Sequence, residues 1–314
     1  MKKVTILLPA FNEEASFSRL KECMERVLRE NPAYQWEFLL VNDGSRDNTL
    51  AQMESLHRDD PRHWSYIDLS RNYGKEVAMM AGFDYADGDA LIIMDADMQH
   101  PISVIPEMLS WWEQGYDDVF ARRRTSNEKW GKKMSSRLYY RLLQKTTNIP
   151  IQLDAGDFRL LDRRCVEALR MMRESERNTK GMFSWIGFRK KGIFYDQLER
   201  EEGESKWSFA SLMHLAVNGL TSYTTAPLRI ASVFGFIVAL IAVIYLIYIV
   251  IRTLVFGEPV SGFPTIMVSM LFLGAVQLIS IGIIGEYLAR VFTEVKKRPV
   301  YFVRSFNGKD PEKK

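Results

Sequence analysis

The most restrictive feature of the chain is a pair of long uncharged segments near its C-terminus. No charged residue occurs from Ile230 to Ile251 or from Thr265 to Gly285. A helix rises roughly 1.5 Å per residue, so each segment is long enough to cross the roughly 30 Å of a bilayer's hydrocarbon core. Core helices of globular proteins are usually shorter and carry a polar face. The pattern therefore predicts a transmembrane helical hairpin within residues 229–290.

The distribution of basic residues predicts how this hairpin is oriented. The loop Thr253–Pro264 contains neither Lys nor Arg, whereas several basic residues follow the second segment. Loops rich in Lys and Arg stay on the cytoplasmic side of a membrane. Residues 291–314 are therefore predicted to be a basic cytoplasmic tail, and with two spans the N-terminal domain lies on the same side. The basic residues include Arg290, Lys296, Lys297, Arg298 and Arg304.

Residues 1–228 have the composition of a soluble domain. The formal net charge of the 314-residue chain is +3, which argues against a nucleic-acid-binding protein with its larger and more concentrated basic excess. Cys23 and Cys165 are far apart and lack a partner motif, so we interpret them as reduced thiols. The four histidines likewise show no metal-ligand spacing.

Short apolar segments alternate with helical patterns through the first half of the chain. This alternation predicts an α/β fold with a mostly parallel sheet covered on both faces. Ligands of such sheets bind beyond the carboxyl ends of the strands, and polar clusters follow each apolar segment, so we expect a site at that edge. The predicted strands include Val4–Leu8, Trp36–Val41, Tyr66–Leu69 and Ala90–Met94.

Two further segments are candidates for membrane-surface helices. Trp130–Thr146 interleaves Lys and Arg with leucines that share one helical stripe, and Ser208–Ser222 leads directly into the first uncharged segment. Each is either an interfacial helix or an ordinary surface helix packed on the core. For Ser208–Ser222 the direct continuation into the first uncharged segment favours the interfacial interpretation, whereas both interpretations stay open for Trp130–Thr146. We assign residues 163–228 to acceptor-side and interfacial helices.

Three polar motifs carry the candidate chemistry. Asp95-Ala96-Asp97 follows a buried-strand pattern, and two such carboxylates suit a hard divalent cation that also binds a diphosphate. Elsewhere most Asp-x-Asp sequences are solvated turns. Within Asn42–Ser45, Asp43 is a candidate to accept hydrogen bonds from a nucleotide base or ribose, or the turn simply caps the next helix. Arg71–Lys75 joins cations to a glycine, or is an ordinary loop.

The order and spacing of these motifs resemble family-2 glycosyltransferases. The chain is similar to the branch that uses polyisoprenyl phosphates, which includes dolichol-phosphate mannose synthases and bactoprenol glucosyltransferases. One departure is Asn42, where many relatives have Asp. The matching segments are Pro9–Glu14, Asn42–Ser45, Arg71–Lys75, Asp95–Gln99, Gly156–Leu161, Lys180–Gly181 with Ser184–Gly187, Gly203–Ser208 and the two uncharged segments.

The resemblance implies a GT-A fold over residues 1–162 and an inverting sugar transfer from a nucleotide-sugar to undecaprenyl phosphate. UDP-glucose is the first choice of donor, with UDP-N-acetylhexosamine, UDP-galactose and GDP-mannose as alternatives. The lipid-linked sugar would supply cell-envelope glycans at the cytoplasmic face of a bacterial inner membrane. A homo-oligomer is expected, with a tetramer as one candidate. A membrane-anchored sensor without turnover is the alternative from another class, and the intact Asp95, Asp97 and Gln99 argue against it.

The resemblance also implies roles for individual residues. Asp95, Asp97 and Gln99 would form the site for Mg²⁺ or Mn²⁺. Arg122 and Lys206 would hold phosphate groups, and Asp157 would lie near the acceptor, either orienting it or acting as a base. Together with Asp97, these three make up the predicted catalytic group. The predicted nucleotide-sugar pocket consists of Pro9, Phe11, Glu13, Asp43, Lys75, Asp95 and Ala96.

Overall fold

The computed structural model describes residues 1–98, 100–123, 155–175, 177–195, 226–256 and 262–310. The chain forms two compact units. The first unites Met1–Trp207 with the C-terminal segment Pro299–Lys314, and the second is Ser208–Arg298.

One sheet of eight strands forms the centre of the first unit, in the order β7-β5-β6-β4-β1-β2-β3-β8. Strand β1 pairs in parallel with β2 and β4, β2 pairs in parallel with β3, and β5 pairs in parallel with β7. Strand β6 is antiparallel to β4 and β5, and β8 is antiparallel to β3. The strands are β1 Lys3–Ala10, β2 Gln35–Asn42, β3 Trp64–Leu69, β4 Ala90–Ile93, β5 Asp118–Arg123, β6 Ala155–Asp162, β7 Lys190–Tyr195 and β8 Val303–Phe306.

The predicted α/β class is confirmed, and the sheet is mixed. Six strands run in one direction, while β6 and β8 run in the other. The carboxyl ends of β1, β2, β3 and β4 therefore lie along a single edge, as expected from the polar clusters that follow them. Strand β5 has the same direction, so its last residues reach that edge too.

Helices cover both faces of this sheet and bury two apolar clusters. On one face α1, α2 and α4 pack against side chains such as Ile6, Leu8 and Phe38. On the other face α3, α5 and α6 pack against side chains such as Leu7 and Leu39. Successive side chains of a strand point to opposite faces, so strands buried on both faces are continuously apolar. These helices are α1 Phe17–Glu30, α2 Thr49–Asp59, α3 Lys75–Tyr85, α4 Ile105–Glu113, α5 Arg163–Met171 and α6 Thr179–Trp185.

The second unit contains two long helices, α7 Ala226–Phe256 and α8 Phe263–Val295. The two uncharged segments predicted to be helical fall within them. Among the described residues, the stretch Phe272–Val295 is long and apolar enough to cross a membrane by length and composition. A crossing by both helices stays a prediction. The candidate interfacial segments Trp130–Thr146 and Ser208–Ser222 lie outside the described residues.

The eighth strand lies within the segment predicted only as a basic tail. After α8 the chain returns to the first unit, where Ile67 and Phe306 are partners in the β3–β8 register. The Tyr301 hydroxyl donates to Asp84 Oδ2 at 2.5 Å, and Tyr66 N donates to Asn307 Oδ1 at 2.8 Å. The C-terminal segment is thus an integral edge of the sheet.

Candidate active site

A cavity of about 210 Å³ lies where β1, β2 and β4 end. Its wall brings together residues that are far apart in the chain. Most of them belong to four separate sequence motifs. Every residue predicted for the nucleotide-sugar pocket lines it, and so does Asp97. The lining residues are Pro9, Ala10, Phe11, Glu13, Asp43, Lys75, Ala78, Asp95, Ala96 and Asp97.

Hydrogen bonds fasten the loop after β1 to the loop after β2. Asn12 N donates to Ser45 Oγ at 3.0 Å, and Arg46 N donates to Asn12 Oδ1 at 2.9 Å. Glu13 N donates to Thr49 Oγ1 at 2.9 Å. Asn12 has a φ of 54°, a left-handed conformation that Asn tolerates better than most residues. These bonds fix one rim of the cavity, where the ring of Phe11 is 42% exposed.

Asp43 fastens the loop that follows β3. Its carboxylate accepts from Tyr73 N at 2.7 Å and from Gly74 N at 2.8 Å. Burial raises the pKa of Asp43, although these two N–H groups and the charge of Arg71 act in the opposite direction. The Asp43 side chain therefore both lines the cavity and holds the backbone that leads into Lys75.

Gly44 allows these two loops to come so close. Its φ is 67°, and a Cβ at this position would lie 2.5 Å from Arg71 C and from Asn72 N. Both contacts are to backbone atoms, which cannot swing away. Only glycine fits this turn, both by conformation and by space.

Lys75 joins the two halves of the candidate site. Its ammonium lies 2.6 Å from Asp95 Oδ1 and 2.8 Å from Asp157 Oδ2. The register explains this meeting: Ile93 is the partner of Arg159 in antiparallel β4 and β6, so each aspartate lies two residues along from that pair. Asp157, which was predicted to lie near the acceptor, and Asp95, which was predicted to bind the metal, thus share one cation.

The pKa values of this cluster are shifted in opposite directions. Burial alone would lower the pKa of Lys75, but the charges of Asp95 and Asp157 raise it well above its ordinary value. Burial would raise the pKa of Asp95, but hydrogen bonding to His100 and the charge of Lys75 hold it well below its usual range. Both groups are therefore charged across the neutral range.

His100 is a site residue that the sequence interpretation missed. Its Nε2 lies 3.5 Å from Asp95 Oδ2, and its ring stacks on Phe158 with the centroids 4.7 Å apart. Its Nδ1 lies 3.4 Å from the hydroxyl of Tyr195. His100 was set aside because the histidines lack metal-ligand spacing. Its position three residues after Asp97 was the available signal.

Arg159, two residues after Asp157 on β6, makes several buried polar contacts. Arg159 Nη1 lies 3.1 Å from Asp118 Oδ2, and Arg159 Nη2 donates to the carbonyl of Gly156 at 3.0 Å. The guanidinium also lies 3.7 Å from the centre of the Phe183 ring. Within the described residues, Asp157 Oδ1 is buried without a hydrogen-bond partner. Asp157 thus lies next to a buried polar network and pairs with Lys75 through its other oxygen.

Arg122 is the described member of the predicted catalytic group that is not part of this cluster. It is the next-to-last residue of β5, its guanidinium lies 5.3 Å from the centre of the Phe194 ring, and it does not line the cavity. Its Nε is buried and makes no hydrogen bond within the described part of the chain. Lys206 and Gln99 lie outside the described residues, so their predicted roles stay predictions.

The cavity offers oxygen ligands for a metal from two neighbouring carboxylates. No group of three His, Cys, Asp or Glu side chains among the described residues is placed to hold an ion alone. Asp95 and Asp97 line the cavity beside Glu13, whose pKa is raised by burial and by those two carboxylates. Hard oxygen donors suit Mg²⁺ and Mn²⁺, which commonly take their other ligands from a bound phosphate. The donor set fits an ion shared with a diphosphate.

Comparison with known proteins agrees with this geometry. Residues 5–170 match glycosyl transferase family 2. The chain belongs to this family. Residues 226–291 match the GtrB C-terminal hairpin, a range that spans α7 and most of α8. The protein is therefore a family-2 glycosyltransferase, and its mixed sheet is of the GT-A type.

Several relatives match along almost the whole chain. The Bacillus subtilis protein CsbB, named as a glycosyltransferase, is 40% identical over 97% of this chain and 92% of its own. The SfII prophage-derived bactoprenol glucosyl transferase of Shigella flexneri is 39% identical over 98% of this chain and all of its own. The prophage bactoprenol glucosyl transferase homolog of Escherichia coli is 39% identical over 96% and 98%. The aligned ranges thus take in almost the whole of this chain, both its first unit and its two long helices.

Proposed function

We propose that this family-2 glycosyltransferase transfers a sugar from a nucleotide-sugar, with UDP-glucose as the first choice, to a polyisoprenyl phosphate such as undecaprenyl phosphate. The observation that carries the proposal is the bridge from Lys75 to Asp95 and Asp157 in a cavity lined by the predicted donor residues. The match to the GtrB hairpin and the names of the Shigella and Escherichia relatives support glucose and a lipid acceptor.

In this reaction the departing diphosphate needs more stabilisation than the nucleophile needs activation. An acceptor phosphate oxygen, already anionic at neutral pH, attacks the anomeric carbon of the donor from the side opposite the diphosphate. The bond from that carbon to the diphosphate breaks, the nucleoside diphosphate leaves, and the configuration inverts. Fixed positive charge at the departing diphosphate lowers this barrier. We assign that role to Lys75, Arg122 and Lys206.

Asp157 belongs to the acceptor side of this scheme. It is held by Lys75 through one oxygen, and its other oxygen, Oδ1, is buried without a partner in the described residues. An anionic phosphate needs no strong base, so we assign Asp157 to orienting the acceptor. The positive charge of Lys75 offsets the repulsion between this carboxylate and the incoming phosphate.

We assign the metal site to Asp95, Asp97 and Gln99, with Mg²⁺ or Mn²⁺ as the ion. When bound, the ion would neutralise the charge that develops on the leaving diphosphate. His100 then has a defined task, because its contact with Asp95 Oδ2 fixes the orientation of that carboxylate.

Membrane attachment by residues 229–290 follows from the same proposal. The pairing of β8 with β3 requires the residues before and after the hairpin to lie on the same side of the membrane. This pairing therefore supports an even number of membrane crossings between them. The basic residues after α8 favour the cytoplasmic side of a bacterial inner membrane. Residues 1–162 would then be the donor-binding domain, and 163–228 the acceptor side with interfacial helices. Residues 291–314 would be the cytoplasmic tail that includes β8.

A homo-oligomer, with a tetramer as one candidate, completes this proposal. Gln277 lies on an exposed face of α8, where lipid offers its amide no hydrogen-bond partner. A second protomer would supply one.

The test is a transfer assay on the purified full-length protein in lipid nanodiscs. Undecaprenyl phosphate is offered with each of UDP-glucose, UDP-N-acetylglucosamine, UDP-galactose and GDP-mannose, and the lipid product is identified by mass spectrometry. We expect one donor to give a glycosylated lipid phosphate whose formation stops on chelation and resumes with Mg²⁺ or Mn²⁺.

The outcomes separate the parts of the proposal. Transfer from a donor other than UDP-glucose would correct the sugar and keep the reaction. Transfer that persists after chelation would overturn the metal assignment. No transfer with any donor, from protein that is folded and membrane-bound, would overturn the function.

A further inference from the structure

A chain of polar contacts runs from the C-terminal strand into the turn that carries Asp43. Arg304 Nη1 in β8 donates to Asp68 Oδ2 at 3.0 Å. Asp68 Oδ1 accepts from Asn42 Nδ2 at 2.7 Å, and Asn42 Oδ1 accepts from Ser45 N at 3.1 Å. The chain begins at a side chain that is 60% exposed and ends in the backbone next to the cavity.

The side-chain amide of Asn42 supplies both the donor that Asp68 needs and the acceptor that Ser45 N needs. Its NH₂ group faces a carboxylate, which only accepts, and its carbonyl oxygen faces the N–H of Ser45, which only donates. An aspartate at this position would place two carboxylates within hydrogen-bonding distance in a site where Asn42 and Asp68 are both about 1% exposed. The departure from the family pattern at Asn42 therefore matches the local structure.

A second contact from the same arginine reaches the loop after β3. Arg304 Nη2 donates to the carbonyl of Ser70 at 3.0 Å, and Ser70 N donates to the carbonyl of Phe302 at 2.9 Å. Ser70 is the residue before Arg71–Lys75, the loop whose N–H groups hold Asp43 and which ends in Lys75. Arg304 thus contacts the loop after β3 directly and reaches the turn that carries Asp43 through Asp68 and Asn42.

We propose that Arg304 and Asp68 are positioning residues of the donor pocket, acting through Asn42 on the Asp43 turn and through Ser70 on the Lys75 loop. Neither residue lines the cavity. The inference rests on the proposed function insofar as the pocket takes a nucleoside diphosphate. It gives the segment after the hairpin a role in donor affinity that is distinct from its role in stability.

The physical cause is the buried carboxylate of Asp68. A buried charge that loses one of its partners reorganises its surroundings to recover one. Without Arg304, Asp68 keeps Asn42 as its remaining side-chain partner in the described residues, and the carbonyl of Ser70 loses a donor. The Lys75 loop then loses one of its contacts with β8, and the Asp43 turn is tied to a carboxylate that has lost its counter-charge.

The test measures nucleotide affinity by titration calorimetry on the full-length protein in detergent. The wild type is first titrated with UDP and GDP, and failure to bind either would count against the proposed function itself. With the nucleotide that binds, we expect Arg304→Met to raise Kd about tenfold, the size of one lost charged hydrogen bond. Arg304→Lys, which keeps the charge at Asp68, should recover part of the affinity.

The matched control is Tyr301→Phe. It removes the hydrogen bond to Asp84 from the same C-terminal segment but touches neither Asp68 nor Ser70. We expect a lower Tm with an unchanged Kd. An equal loss of affinity in Tyr301→Phe and Arg304→Met would show that only the docking of the segment matters and would overturn the proposal. An unchanged Kd in Arg304→Met would do the same.

A double-mutant cycle tests the route. If Arg304 acts partly through Asn42, the effects of Arg304→Met and Asn42→Ala on Kd will be smaller together than their sum. Strict additivity would overturn the route through Asn42. Should Arg304→Met fail to fold, the comparison of Arg304→Lys with Tyr301→Phe carries the same decision.

Discussion

The ammonium nitrogen of Lys75 lies 2.6 Å from a carboxylate oxygen of Asp95 and, on its other side, close to Asp157. The cation is paired with both carboxylates. In the proposed reaction one carboxylate belongs to the donor side and the other to the acceptor side. Under that proposal Lys75 would hold the donor side and the acceptor side of the site together.

Replacing Lys75 with Gln should reduce kcat/KM by about 10²–10³-fold, the range found for the loss of one charge-stabilising group. The neutral amide would leave Asp95 and Asp157 facing each other without a counter-charge. Steady-state kinetics of sugar transfer would measure the effect. Lys2→Gln is the control, since it removes an exposed pair with Glu113. Similar rates for both variants would contradict the role of Lys75.

Asp97→Asn should abolish metal-dependent transfer, because it removes one of the two carboxylates proposed to hold the ion. The rate would be measured after chelation and after titration with Mg²⁺ or Mn²⁺. Asp59→Asn, at an exposed position on α2, provides the matched control. Near-normal transfer by Asp97→Asn would refute the metal assignment.

Nucleotide binding should weaken on acidification at a higher pH than an exposed aspartate would dictate. Burial raises the pKa of Asp43 above its ordinary value of about 3.8 to 3.9. As the pH falls through this raised pKa, the carboxylate becomes protonated and loses acceptor strength toward Tyr73 N, Gly74 N and the nucleotide. Titrations of wild type and Asp43→Asn across the acid range would test this. The variant should bind the nucleotide weakly, and its affinity should not fall further over the pH range in which Asp43 is protonated. The same fall in affinity in both proteins would exclude Asp43 as its cause.

Gly44→Ala should destabilise the protein by more than Gly115→Ala. Both glycines have left-handed φ angles, 67° and 85°, so both substitutions incur about 1–2 kcal/mol of backbone strain. Only Gly44 has backbone atoms 2.5 Å from the added Cβ; the nearest atom at Gly115 is 3.9 Å away. Denaturant unfolding would compare the two. Equal losses of unfolding free energy in the two variants would mean that the loops after β2 and β3 can move apart at no energetic cost.

The elements of the sheet's centre were predictable from local pattern alone. Val4–Leu8 and Trp36–Val41 are mostly apolar because those strands are buried on both faces, and such a short apolar run is visible in the sequence. Strand β8 was not predictable, because Val303–Phe306 is a four-residue, partly exposed strand whose partner lies more than 200 positions earlier. A pairing of that range leaves no periodic trace in a short edge strand.

The candidate site, too, was predictable from the sequence only in part. The motifs at Asp43 and Asp95 identified the cavity because strand ends in this fold share one edge. The meeting of Lys75 with Asp157 depended on the antiparallel register of β4 and β6, which no motif encodes. His100 was missed because its partner is a carboxylate five residues away and its ring is held by Phe158 and Tyr195.

The position of β8 after the two long helices has a consequence for biosynthesis. Strand β3 lacks its β8 partner until residues 303–306 have left the ribosome, and α7 and α8 must be translated before them. Unpaired edges are where strands of different chains associate wrongly. Each newly made molecule therefore pairs β8 with β3 only after its hairpin has emerged. A chain truncated within the hairpin would be left with an exposed edge that chaperones and proteases can recognise.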